Sequence, residues 1–473
     1  MIQSIAKKEY LSSIRDRRFI VIAIIISILL VMATIIGMQN YESLKNERNT
    51  AQQTVNDQFT NSTARHPHRM AHYGSYAFRP KSPLSFLDFG IDSFTGTTLY
   101  MEAHRQNTAN FSEAQQSTSL IRFGEMSVAF VLQILVPLLI IFLCFGAFSQ
   151  EKETGTLKIL LSQGVSITKI AWGKIKGYSL VVATLIYPAF FLVCIVLFLQ
   201  GNFDWETGML ARYLSFIAAY SSYFFIFIML SVIVSAAYTN SSASLITLLG
   251  IWMLFCVIMP KVTANIGDQL YPSITKAEMN AEIHEEVLAG IDGHNSKDER
   301  AEAMKQELFD KYGVNSLEDL PVNFDGLWLA KGEEQSSKTY SKHFDEITQT
   351  FQKQNKIATY AALINPFLAI RNLSMGIAGS DFYRYTDFLK KAEKYRYQRT
   401  QKLNHIQATR LKYGDKLTRL DSKTWKEFEP FSYTTPGLWW SIKNHWFSVF
   451  ALIFWMFLLS GSTTFIIRKS KIA

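Results

Sequence analysis

Histidines form the densest group of side chains that could do chemistry. His66, His68 and His72 lie within one short polar segment. Imidazole nitrogen is a common ligand for zinc and copper ions, so this spacing is compatible with a metal site. A polar loop has the same composition, and we favour that interpretation. The sequence therefore predicts no metal site. If a metal were bound, these three histidines would be the candidate ligands.

Two other patterns match only part of a catalytic motif. His284-Glu285-Glu286 starts like the motif of zinc proteases, but no second histidine follows four residues after the first. Gly173-Lys174 lacks the upstream glycine and the following Ser or Thr of a phosphate-binding loop. Without that loop the chain cannot hydrolyse ATP. We therefore predict no enzyme activity, no catalytic residue and no cofactor in this chain.

Apolar residues are concentrated in a few long runs. The chain has 473 residues, 48% of them hydrophobic, and a formal net charge of +9. A helix needs about 20 apolar residues to cross a bilayer, and six runs qualify. We predict spans at 19–38, 126–148, 178–199, 213–236, 243–260 and 446–467. The three cysteines, Cys144, Cys194 and Cys256, all lie in such runs, so the polar segments hold no intrachain disulfide.

The lysines and arginines near the span ends predict the orientation. They are concentrated in residues 1–18, in the loop 149–177 and in the tail 468–473. With six spans these three segments share one side, which the positive-inside rule assigns to the cytoplasm. The prediction is a multi-pass protein of a bacterial inner membrane with both termini in the cytoplasm. The positive-inside distribution then accounts for the net charge, and we predict no nucleic acid as a partner.

Two large polar segments, 39–125 and 261–442, are then extracytoplasmic. The second reads as helical, and Gly379-Ser380-Asp381 predicts a helix stop followed by the N-cap of a basic helix over 381–412. We expect that helix to present a solvated face. The spans themselves hold no acidic or basic residue, which disfavours a proton-coupled transporter. The predicted fold class is an all-α membrane protein with largely helical extracytoplasmic domains.

A short amphipathic helix follows the second span. Leu157, Leu160 and Leu161 share one helical face because they are three or four residues apart. An apolar face at a membrane edge has to be covered by lipid headgroups or by another protein. The residues alone leave both possibilities open.

This segment, Glu151 to Ser162, resembles the signature of the permeases of ABC type-2 exporters, and residues 6–19 resemble the elbow helix of the same family. The resemblance implies that 1–18 is an amphipathic elbow helix and that 149–177 is a coupling-helix loop that contacts a separate ATPase, which would carry the ATP and magnesium. The implied ATPase interface comprises Glu151, Glu153, Gly155, Thr156, Leu157, Leu160, Leu161 and Ser162. The implied elbow residues are Glu9, Leu11, Arg15, Asp16 and Arg17.

Residues 365–404 resemble an uncharacterised subfamily with large periplasmic insertions. It is similar to the permeases of gliding motility and of nitrous-oxide-reductase maturation. The resemblance implies a dimer with a second copy or a paralogue, in a lipid bilayer, with a periplasmic protein as a further partner. The predicted function is to couple ATP hydrolysis by the partner to export or to mechanical work outside the cytoplasm. The alternative is a membrane scaffold or assembly factor that transports nothing.

Overall fold

The computed structural model describes residues 1–112, 126–199, 201, 208–291, 293–295, 298–415 and 417–469. It is 74% helical, and within this part of the chain six helices are long and apolar enough to cross a membrane. The architecture is that of a multi-pass membrane protein. The segment between the third and fourth predicted spans includes residues 202–207, which lie outside the described residues.

The chain begins with two helices that meet at a single capping residue. Helix α1 (Ile2–Arg15) ends at Asp16, whose side chain accepts a hydrogen bond from the backbone N–H of Arg18 and caps α2 (Arg17–Thr60). At 1.5 Å per residue, the 44 residues of α2 extend about 66 Å, which is twice the apolar thickness of a bilayer. The helix of the first predicted span therefore continues far into the polar segment that follows it.

Four further helices that could span a membrane follow. They are α4 (128–144), α7 (Ile167–Leu199), α8 (Met209–Ala237) and α9 (Ser241–Leu270). The short helices α5 (Ser149–Glu153) and α6 (Thr156–Ser162) connect α4 to α7. Helix α7 begins well before the predicted residue 178, and α9 continues well beyond the predicted residue 260. Polar or charged residues extend these helices past the apolar runs of the predicted spans.

Two of these spans contain a π-helical segment next to a proline. Val131–Leu135 lies just before Pro137 in α4, and Leu254–Ile258 lies just before Pro260 in α9. Proline has no backbone N–H, so one carbonyl in the preceding turn loses its hydrogen bond. The wider π-helical turn accommodates that carbonyl.

The first polar segment contains a small sheet, which the all-α prediction missed. After α3 (Pro67–Tyr73), strands β1 (Ser75–Phe78), β2 (Thr98–Glu102) and β3 (Arg105–Gln106) pair antiparallel in that order. The aromatic residues of β1 and β2 favour a pleated surface, and Gly74 supplies the positive φ of 63° that separates α3 from β1.

The second polar segment is helical, as predicted. Its helices are α10 (Lys276–Ala289), α11 (Glu299–Tyr312), α12 (Phe324–Ala361), α13 (Pro366–Ala378), α14 (Phe382–Arg410), α15 (Ser422–Trp425) and α16 (Leu438–Asn444), followed by the last span, α17 (Trp446–Lys469). Gly379 ends α13 in the left-handed conformation, and Asp381 caps α14 by accepting from Arg384 N–H. The predicted helix stop and N-cap are confirmed.

The basic helix α14 agrees only in part with the expectation of a solvated face. Arg396 and Arg399 are buried, whereas the lysines of the helix are exposed as expected: Lys390, Lys391, Lys394 and Lys402. Arg396 is almost fully buried, and its Nη1 lies 2.6 Å from Oε1 of Glu333 on α12. Its Nε lies 2.7 Å from Oε2 of Glu393. The positive charge of Arg396 is therefore neutralised inside the protein, between two long helices.

Both polar segments, called here the insertions, pack into the bundle itself. The apolar side chains of α13 and the loop residues Leu84, Phe86 and Leu87 belong to the same buried cluster as the spans. Asn365 Nδ2 donates to the backbone oxygen of Phe255 on α9 at 2.9 Å. We call this the insertion end of the bundle, and the end formed by α1, α5 and α6 the amino-terminal end.

Candidate functional site

Helix α1 lies directly against α7 because two glycines leave room for it. A Cβ at Gly173 would lie 2.7 Å from the Ile5 side chain. A Cβ at Gly177 would lie 2.9 Å from the Ala6 carbonyl oxygen and 2.8 Å from Glu9 Cβ. Glycines four residues apart are a known signature of close helix packing in membranes. Helix α1 is therefore docked on α7.

A buried lysine joins three elements at this contact. Lys174 Nζ, on α7, lies 2.9 Å from Oε1 of Glu9 on α1 and 2.8 Å from Oε1 of Glu151 on α5. The side chain of Lys174 is only 2% exposed. Tyr178 Oη donates to the other carboxylate oxygen of Glu9 at 3.1 Å. Because an unpaired buried charge is costly, removing any one of these groups would loosen the others.

The environment of Glu9 favours its charged form. Burial alone would raise the pKa of its carboxyl group. The positive charge of Lys174, together with hydrogen bonds from Lys174 and Lys8, outweighs burial and holds the pKa below its ordinary value of 4.5. Glu9 is therefore a carboxylate at neutral pH.

Helix α5 is also bound to α8. Ser235 Oγ, on α8, accepts hydrogen bonds from the backbone N–H groups of Phe148 at 2.9 Å and Ser149 at 3.2 Å. Lys152 Nζ donates to the Ala236 carbonyl at 2.6 Å, near the carboxyl end of α8. The first N–H groups of a helix and its last carbonyls have no partner within that helix. These contacts supply partners for the N–H groups at the start of α5 and for a carbonyl at the end of α8.

A third connection runs to α9. The carboxylate of Glu153 accepts from both the backbone N–H and the hydroxyl of Ser241, the first residue of that helix. An acidic side chain is favourable at a helix amino terminus. Helix α5 is thus bonded to α7, α8 and α9, and through Lys174 to α1.

Helix α6 turns its apolar face inward. Gly155 adopts a positive φ of 73°, which lets the chain reverse between α5 and α6. Leu157 is 1% exposed and belongs to the core of the bundle, against which Leu160 and Leu161 also pack. The structure corrects the expectation for Leu157, which the chain's own spans cover. The exposed residues of α6 are Thr156, Lys158, Ile159 and Ser162.

The remaining predicted residues lie near this site without joining the ion pairs. Leu11 is half-buried, whereas Arg15, Asp16 and Arg17 are exposed at the junction of α1 and α2. Lys174 and Tyr178 were not predicted. The Gly-x-x-x-Gly spacing around Lys174 was the one signal in the sequence that marks a helix contact there.

The predicted histidines divide between two roles. His66 caps α3, with its Nδ1 accepting from His68 N–H at 3.3 Å. His68 and His72 instead approach His104 and His294, so that one ring nitrogen from each of the four lies within 4.8 Å of the others. Burial lowers the pKa of His68 to about 3, and the three neighbouring imidazoles add to that effect. Sequence spacing did not reveal His104 or His294, because each comes from a distant segment.

Comparison with known families assigns no activity. A family described as a domain of unknown function, DUF3526, matches residues 276–434, which contain α10 to α15. A second family, described as a protein of unknown function, DUF2705, matches residues 94–272, from just before β2 to just past the end of α9. No curated protein matches the chain.

Proposed function

We propose that this chain is the membrane-spanning subunit of an ABC transporter of the type-2 exporter class, driven by an ATPase on a separate polypeptide. The observation that carries the proposal is the bonding of α5. This one short helix is joined to α7 by Lys174, to α8 by Ser235 and to α9 by Glu153. A force applied to the α5–α6 segment therefore acts on three spans and on the elbow helix together.

The exposed face of α6 is the proposed contact for the ATPase. Ile159 is 59% exposed at the amino-terminal end of the bundle, beside the exposed cation of Lys158. Leu157 anchors the opposite face in the core. A helix fixed on one face and exposed on the other can transmit a displacement, whereas a helix that only rested on lipid would need no anchor in the core.

Helix α8 extends the connection to the insertion end. Near its start, Arg212 donates to the carbonyl oxygens of Gly376 at 3.3 Å and Ile377 at 2.8 Å, at the end of α13. Farther along, Tyr220 Oη lies 2.8 Å from Ser374 Oγ. One helix thus touches α5 at its end and the second insertion at its start, which supports coupling between the two ends.

The proposal places the amino-terminal end in the cytoplasm of a bacterium and the insertions outside it. The abundance of Lys and Arg in segments 1–18 and 149–177 supports this orientation. A second copy or a paralogue would complete the transport unit. The insertions would then receive ATP-driven movement and use it for export or for mechanical work on an extracytoplasmic substrate or protein.

The test is purification of the full chain, in mild detergent, from its native host, followed by measurement of ATP hydrolysis in the eluate. The wild-type chain is expected to bring with it an ATPase whose activity vanadate inhibits. The Ile159→Asp variant should lose that activity because a charge replaces the exposed apolar contact. Leu288→Asp is the matched control, since Leu288 is 65% exposed but lies in the second insertion.

ATPase activity that is absent from the wild-type eluate, or equal in the Ile159→Asp and wild-type eluates, would contradict the proposal. If the eluates of the wild-type chain and of both variants all lack ATPase activity, the alternative is favoured: a scaffold that binds a protein through its insertions and transports nothing.

A further inference from the structure

Four histidines from three distant segments meet at the insertion end. His68 and His72 lie on α3, His104 lies between β2 and β3, and His294 lies between α10 and α11. The ring centroids of neighbouring imidazoles are 4.6 to 6.1 Å apart. We call these four residues the histidine cluster. We propose that the histidine cluster binds a divalent transition-metal ion, zinc or copper(II), and thereby joins the two insertions.

The donor set fits this class of ion. Four imidazoles without a thiolate suit zinc, copper or nickel, whereas calcium and magnesium prefer oxygen ligands. In a tetrahedral zinc site with bonds of about 2.0–2.1 Å, the ligand nitrogens are about 3.3 Å apart. His68 Nε2 and His72 Nε2 are already 3.2 Å apart, and all four nitrogens lie within 4.8 Å. Small rotations of the exposed His72 and His294 rings would complete the site.

The backbone holds His104 in place for this role. His104 has a positive φ of 61°, which is uncommon for a residue with a side chain. The N–H of its neighbour Ala103 donates to the Ala71 carbonyl on α3 at 3.2 Å. This hydrogen bond fixes the tip of the β2–β3 hairpin beside the two histidines of α3.

A buried carboxylate supports His104 from behind. Glu333 Oε2 accepts from the His104 backbone N–H at 2.7 Å and lies 3.2 Å from its Nδ1. Glu333 is fully buried, and Arg396 neutralises it from the other side. Both ring nitrogens of His104 are buried without a hydrogen bond. Because the Glu333 carboxylate lies on the Nδ1 side, Nε2 is the nitrogen left for a metal.

His294 comes from the second insertion. The preceding residue, Gly293, has a positive φ of 78°, and a Cβ there would lie 3.2 Å from Leu329 Cα and 3.3 Å from Gly332 Cα. The His294 loop therefore packs tightly on α12, next to Glu333. An ion at the histidine cluster would bridge residues that are far apart in sequence, from His68 to His294.

An open cleft gives access to the histidine cluster. Its volume is about 800 Å³, and its polar lining includes His72, His104, His294 and the nearby His284. His284 is not among the four histidines whose ring nitrogens converge. It therefore provides a control within the same cleft.

The experiment uses the full-length chain in detergent, purified with a tag that contains no histidine and stripped with EDTA. Zinc binding is measured by titration calorimetry and copper(II) coordination by electron paramagnetic resonance. The wild-type chain should bind one equivalent of zinc, and the copper spectrum should show nitrogen ligands. The His72→Ala/His294→Ala double variant should lose more than about 100-fold in affinity.

The matched control is His284→Ala/His405→Ala, which also removes two exposed histidines. It should bind zinc like the wild-type chain. Helix content and gel filtration establish that both double variants are folded, as expected for exposed positions. Substoichiometric binding by the wild-type chain, or equal affinity in the cluster variant, would overturn the proposal. The test is independent of the ATPase, so it does not depend on the proposed transport function.

Discussion

Lys174 Nζ lies 2.9 Å from the carboxylate of Glu9, so a buried lysine on the third span holds the amino-terminal helix against the bundle. The same ammonium group lies 2.8 Å from Glu151, at the start of the proposed coupling segment. This shared charge connects α1, α5 and α7 at one point.

Replacing Lys174 should destabilise the protein strongly. Lys174→Met leaves Glu9 and Glu151 in a buried setting without their main cation, and breaking such a pair costs about 3–5 kcal/mol. The free energy of unfolding, measured by denaturant titration in detergent with tryptophan fluorescence, should fall by that amount. Lys176→Met is the matched control, because Lys176 is exposed on the same helix and its loss should change little.

The stability of this connection should depend on pH. Because the pKa of Glu9 is depressed in the folded protein, its stabilising contribution is complete above the ordinary value of 4.5 and is lost as the pH falls through the folded value. The difference in unfolding free energy between the wild-type chain and Lys174→Met should therefore shrink as the pH falls from 4.5 through the folded pKa of Glu9. A difference that stays constant over this range would show that Glu9 does not contribute through its charge.

The glycine contact between α1 and α7 should not tolerate a side chain. In Gly177→Ala the new Cβ would lie 2.9 Å from the Ala6 carbonyl oxygen, which cannot move without shifting α1. Overpacking of this kind costs about 1–3 kcal/mol, measurable by the same titration.

Gly250→Ala is the control for this substitution. Gly250 also lies within a spanning helix, but a Cβ there meets no atom within 4 Å. Alanine has the higher helix propensity, so this variant should be as stable as the wild-type chain or slightly more so. Equal losses for the two alanine variants would mean that α1 does not pack on Gly177.

Arg212 should stabilise the packing of the second insertion against α8. Its guanidinium group is buried and donates to carbonyls at the end of α13, as well as to Ser441 Oγ at 3.1 Å and the Pro436 carbonyl at 3.0 Å. Arg212→Met removes these donors and leaves the carbonyls without partners. Amide hydrogen exchange should then accelerate in residues 366–378 and 438–444. Lys261→Met, which changes an exposed cation on α9, should leave exchange in both segments unchanged.

The sequence predicted the features of the fold that depend on local pattern. Six long apolar runs correspond to six helices that can span a membrane, and Gly379 and Asp381 mark the predicted helix boundary. The sheet escaped prediction because β1 and β2 are short and far apart in sequence. The continuation of the spanning helices escaped because their extensions are polar.

The candidate sites depended on contacts that no local pattern records. In the sequence, Lys174 is one of several lysines in the segment 149–177. Its burial follows from the packing of α1 against α7, which no local pattern records. Leu157 had the spacing of a docking face, but the same spacing suits burial in the core. The histidine cluster needed a hairpin tip and a distant loop to meet at α3, and only two of its four members were neighbours in sequence.

The central claim is that the exposed face of α6 contacts a separate ATPase, and crosslinking tests it most directly. A photoreactive amino acid is placed at position 159 in the full chain in native membranes, and at position 288 as the control. We expect a crosslink from position 159 to a polypeptide that binds a radiolabelled ATP analogue, and none from position 288. A position-159 probe that labels lipid alone would contradict the account.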